Sequence, residues 1–172
     1  MASNLPVRLA LVLGVNVVAF GAFFAATKFG IADQSSLAQG VLERLQDDPA
    51  GLQVRVDDLA GQLLAVGAAA IGIAFALAVI WLIMLEARPP IGDASARAKR
   101  QPWAGLLVAT VLAAAGAGWA LLINAPIAEL LASGVGVTGI ALAVVLAVIG
   151  YWVGTGLGAP RSCKVAVPGF GG

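Results

Sequence analysis

Apolar positions dominate four stretches of this chain: about Val7 to Thr27, Leu59 to Leu85, Trp103 to Ile123 and Val135 to Leu157. None of them carries an Asp, Glu, Lys or Arg beyond its first or last turn. A helix needs about 20 such residues to cross a hydrocarbon core near 30 Å, so each stretch is long enough to span a membrane. The second, at 27 residues, is long enough to tilt or to project beyond the bilayer. The pattern predicts an all-α integral membrane protein. Residues 1–158 would form a bundle of four transmembrane helices, with an outer loop over 28–58 and a cytoplasmic loop over 86–102. Residues 159–172 would form a separate tail rich in glycine and proline.

Periodicity also appears between the spans. Ser36 and Gln39 fit a capping box, and Leu37, Val41, Leu42 and Leu45 fall on one helical face behind it. That predicts a short amphipathic helix in the outer loop, stopped by Asp47-Asp48-Pro49-Ala50-Gly51, with Asp57 or Asp58 capping the second span. The pairs Asp47-Asp48 and Asp57-Asp58 fit no calcium-ligand ladder and read as solvated capping acids. The tail, with Pro160, Pro168, Gly169, Gly171 and Gly172, has too little apolar surface to fold alone. Order in it would require a partner or the inner face of the bundle. Leu37-Ala38-Gln39-Gly40-Val41 and Leu131-Ala132-Ser133-Gly134-Val135 suggest a repeat, but Leu, Ala, Gly and Val are so abundant here that composition explains the match.

Orientation follows from the basic residues in the short connections, which favour the cytoplasmic side. With the N-terminus inside, the inner segments hold Arg8, Arg88, Arg97, Lys99, Arg100, Arg161 and Lys164, and the outer ones Lys28, Arg44 and Arg55. Both termini are therefore expected in the cytoplasm of a multi-pass inner-membrane protein. The Lys-poor, Ala/Gly/Val-rich composition points to a bacterial source.

Composition narrows the chemistry. Apolar residues make up 60% of the chain and charged ones 11%, against about 45–50% and 25% in soluble domains, so lipid is the natural solvent for the excess. A net charge of +1 lacks the basic footprint of a nucleic-acid binder. Without histidine, and with Cys163 as the only cysteine, imidazole metal sites, thiolate clusters and redox pairs are out of reach. No cofactor and no metal is expected. No motif identifies a reaction or a family.

The remaining candidates concern packing. Gly150, Gly154 and Gly158 recur at intervals of four on the last span, a spacing that lets a neighbouring backbone approach closely. Ala68, Gly72 and Ala76 make a similar face on the second span. Asn16 and Thr110 are the polar side chains deepest in the apolar stretches. Asn16 reads first as glue, an interhelical hydrogen bond worth about 0.6 kcal/mol on average. Its sharper reading is a solute or ion ligand in a central cavity, with Thr110 the one other candidate at similar depth. Trp81, Trp103, Trp119, Trp152 and Tyr151 lie near the span ends, where aromatic belts form. Arg97, Lys99 and Arg100 are positive-inside charges that face lipid headgroups or a partner. The function expected from this is a non-catalytic small subunit of a larger inner-membrane complex, in contact with other membrane subunits or with copies of itself, and with the bilayer. The alternative is a small oligomeric channel or transporter protomer with a polar path near Asn16 and Thr110.

Overall fold

The fold comes from a computed structural model, which describes residues 4–31, 49–124 and 135–170. Those residues are helical throughout their regular structure, with no strand among them. Helix α1 spans Leu5–Ala25 and continues as a π-helical turn over Ala26–Ile31. Helix α2 spans Pro49–Ala87, a short α3 covers Asp93–Ala98, α4 covers Arg100–Asn124 and α5 covers Val135–Gly158. A 3-10 turn over Arg161–Ala166 follows. Four of these helices are long and apolar enough to cross a membrane. The amphipathic helix expected near Ser36 lies outside the described residues.

Local chemistry explains the boundaries. Helix α2 stops at Ala87 because Pro89 disfavours helical backbone at the residue before it and Pro90 extends the break. Helix α5 stops at Gly158 for the same reason, two residues before Pro160. Gly92 adopts a φ of 85° that other residues rarely tolerate, and Ser95 Oγ donates to its carbonyl at 2.9 Å, which starts α3. The start of α2 differs from the sequence expectation. It begins at Pro49, so Pro49, Gly51 and both Asp57 and Asp58 lie inside a helix of 39 residues. A proline in the first turn removes only an N–H that has no intrahelical partner anyway. One glycine costs about 1 kcal/mol, which a helix of this length absorbs.

The four long helices alternate in direction, and α2 and α5 run parallel. Leu63 of α2 meets Gly139 of α5, and Leu82 meets Gly158, with the same offset along both chains. Helices α2 and α5 form the central pair, and each also packs against both α1 and α4. Helices α1 and α4 flank this pair and share no extended contact with each other. Ala70, Ala74 and Ala78 on α2, and Ala143 and Ala147 on α5, are completely buried. Small side chains there bring backbones close, which matters in lipid because apolar side chains gain nothing by leaving hydrocarbon.

The closest approaches use glycines as sockets. The Phe23 ring of α1 fills the space beside Gly67 of α2, where a Cβ would collide with it, and Ile140 of α5 fills the space beside Gly118 of α4. At the end of the bundle that carries residues 4 and 170, Arg8 and Glu86 form an ion pair of 3.3 Å between α1 and α2.

Of the two supports expected for an ordered tail, a partner or the bundle, residues 159–170 use the bundle. Ala159, Cys163, Ala166 and Val167 are buried, and the 3-10 turn packs on α3. Arg100 Nη2 donates to the carbonyl of Val165 at 3.2 Å. Beyond the turn, Phe170 lies over Gly156 and stands edge-on to Trp152, with ring centroids 5.9 Å apart. Trp152 Nε1 donates to the Pro168 carbonyl at 2.8 Å.

Candidate functional site

The buried polar residues give the first test of what the bundle interior can do. They are Asn16, Thr27, Thr110 and Thr155. Each donates to a backbone carbonyl one turn back on its own helix: Asn16 to Val12, Thr27 to Phe23, Thr110 to Leu106 and Thr155 to Tyr151, at 2.8–2.9 Å. Such back-bonding satisfies a hydroxyl or amide within its own helix. Among the described residues Asn16 therefore makes no interhelical hydrogen bond, contrary to the expectation of glue between helices. Its Oδ1 is buried without a hydrogen-bond partner. That oxygen presses on Gly150 of α5, lying 2.8 Å from where a Cβ would stand.

Asn16 and Thr110 do not meet. They sit on α1 and α4, with the α2–α5 pair between them.

The polar network that does cross between helices was not singled out by sequence. Trp103 Nε1 on α4 donates to Thr155 Oγ1 on α5 at 2.9 Å, and Tyr151 Oη donates to the Trp103 carbonyl at 3.0 Å. The two rings stand 5.7 Å apart at a tilt of 37°. Tyr151 and Thr155 are one turn apart and share a face of α5, a signal the sequence did contain. Trp81 and Tyr151 are completely buried and Trp103 nearly so, whereas Trp119 and Trp152 are exposed. Three of the five aromatics expected in an interfacial belt are thus core residues.

The two small-residue faces have different surroundings. Gly150, Gly154 and Gly158 look onto α1: Gly154 onto Val12 and the Asn16 amide, and Gly158 onto Val12 and Leu82 of α2. The face of Ala68, Gly72 and Ala76 is exposed along its whole length, and nothing lies within 4 Å of a Cβ built on Gly72. The buried alanines Ala70, Ala74 and Ala78 are two positions further along, on the opposite side of α2.

Beside the open face, α1 and α2 enclose a shallow groove of about 300 Å³. Leu13, Val17 and Phe20 line it from α1, Ala68, Ile71, Gly72 and Phe75 from α2, and Asn16 also borders it. A second groove, about 510 Å³ and apolar, lies between α1 and α5 beside Gly14 and Val18. Neither groove presents a nucleophile or a general base, and no group of metal-ligating side chains occurs among the described residues. Burial raises the Cys163 thiol above its ordinary pKa, against the opposing pull of a Ser162 hydrogen bond and the charges of Arg8 and Lys99. A protonated, buried thiol is a poor nucleophile.

Arg97 and Arg100 are exposed and Lys99 half-buried, at the corner between α3 and α4 beside the folded tail.

An all-helical chain with four spans of this length and apolarity is compatible with a multi-pass membrane protein. Comparison with protein-family models, with curated proteins and with solved structures finds no match.

Proposed function

We propose that this protein is a non-catalytic small subunit of a larger inner-membrane assembly, held to its partner by helix packing in the α1–α2 groove. One observation carries the reading. Ala68, Gly72 and Ala76 form an exposed strip beside a groove, and nothing among the described residues occupies the space over Gly72. In lipid, close backbone approach along small residues is what drives helices together, so such a strip suits a partner helix. The assignment of both termini to the cytoplasm rests on the seven basic residues at that end against three in the remaining segments.

A photo-crosslinking amino acid at Ala68 tests the reading in the native membrane. A single stoichiometric adduct with another membrane chain is expected, and none from Val145, which is exposed on α5. Adducts only with lipid at both positions would overturn it. The channel or transporter reading has less support, because Asn16 and Thr110 lie on either side of the α2–α5 pair. Loss of a transport activity in a normally assembled Asn16→Leu protein would favour the alternative.

A further inference from the structure

We propose that the folded tail and the α3–α4 corner together form a docking surface for the headgroups of anionic phospholipids. The tail brings together cations that are far apart in sequence. Arg161 and Lys164 belong to the 3-10 turn, which packs on α3. Arg97, Lys99 and Arg100 belong to the corner, and Arg100 reaches the carbonyl of Val165. Arg8 and Lys99 stand close enough to Cys163 for their charges to act on its thiol.

Charge is distributed very unevenly along the bundle. The end with the folded tail holds Arg8, Arg88, Arg97, Lys99, Arg100, Arg161 and Lys164 against only Glu86 and Asp93. The remaining segments hold Lys28, Arg44 and Arg55 against Asp33, Glu43, Asp47, Asp48, Asp57, Asp58 and Glu129. Of the two acidic residues at this end, Glu86 is paired with Arg8, so the cations of the tail and corner outnumber the acidic groups left to neutralise them. Folding the tail onto the corner sets like charges side by side, which is unfavourable unless an anion lies between them.

Position identifies the anion. Phe170 and half-exposed Trp152 flank the tail on the outer side of α5, one to two turns before its end. Aromatic pairs at that depth mark the boundary between headgroups and acyl chains. Anionic lipid is the nearest counter-charge there, and each basic residue at such a surface strengthens attachment about fivefold.

Cys163, the only cysteine, reports on the docking because it belongs to the 3-10 turn of the tail and is buried, so labelling should require the tail to lift. The full chain is placed in nanodiscs of phosphatidylcholine alone or with one third phosphatidylglycerol, and maleimide labelling is timed at one pH. Labelling should be slower by about thirtyfold with phosphatidylglycerol, as expected from two cations. Arg161→Gln with Lys164→Gln should abolish most of that difference, and Arg161→Lys with Lys164→Arg should restore it. Circular dichroism and the melting temperature of the detergent-solubilised variants check that the bundle stays folded. Equal labelling in both nanodiscs would overturn the proposal, as would a lipid effect that survives the double Gln substitution. Equal slowing by inorganic phosphate in phosphatidylcholine discs would also overturn it, by showing a general anion site instead of a lipid surface.

Discussion

Helices α2 and α5 carry small residues at the same spacing of four, yet the two strips meet opposite surroundings. Gly150, Gly154 and Gly158 are filled by Val12 and Asn16 of α1 within the chain, while Ala68, Gly72 and Ala76 face outward with nothing over Gly72. Spacing alone therefore predicts that a backbone can be approached, and not which chain approaches it. What separates the two is the far side of each helix. On α2 the strip of Ala70, Ala74 and Ala78 already supplies a completely buried face, and among the described residues the opposite strip is left exposed.

The sharpest way to break this comparison is at a glycine that the spacing rule missed. Gly67→Leu puts a side chain where the Phe23 ring lies, and Phe23 is completely buried. It should cost more than about 3 kcal/mol, beyond ordinary overpacking, because α1 must leave α2. Thermal unfolding in detergent would show it, and a normal melting temperature would mean that the α1–α2 contact is dispensable. Next comes Gly154→Leu, expected to cost about 2–3 kcal/mol by wedging α1 from α5. Gly154→Ala should be nearly neutral, since its Cβ would meet Val12 Cγ1 at 3.4 Å, an ordinary contact. A smaller loss is expected from Thr155→Val, which leaves Trp103 Nε1 buried without its acceptor. That should cost about 1–2 kcal/mol, read from the same melts. Least of all is Gly72→Leu, the counterpart of Gly154→Leu on the open strip. The isolated chain should keep its stability within about 0.5 kcal/mol, while the partner fails to co-purify. A large loss of stability from Gly72→Leu would show that the strip is closed within the chain.

The spans were legible because membrane insertion demands long uninterrupted apolar runs, and each proposed span falls within an observed helix. The start of α2 was not, because Pro49 and Gly51 read as breakers when taken alone, although a proline at a helix start breaks nothing. The glycine spacing on α5 pointed to a contact surface, but Gly67 and Gly118 are single sockets with no periodic signature. Asn16 drew attention by its depth. Its amide is spent on Val12 one turn back, a choice between own backbone and neighbour that sequence does not encode. The Trp103–Tyr151–Thr155 network was hidden for a related reason, since an aromatic near a span end fits an interfacial belt and a buried network equally well.

The length of α2 gives the molecule a lever. Its 39 residues form one continuous rod, roughly 58 Å long at 1.5 Å per residue, about twice the depth of a hydrocarbon core. The end near Ala87 is tied to α1 through Glu86 and Arg8, and the far end lies at Pro49. A tilt of about 10° about the tied end would sweep the tip near Pro49 through about 10 Å. If a partner helix lies beside Gly72, as proposed above, a small rearrangement of it would thus arrive at the Pro49 tip as a larger displacement. A force applied to that tip would act on the buried seam with the same mechanical advantage.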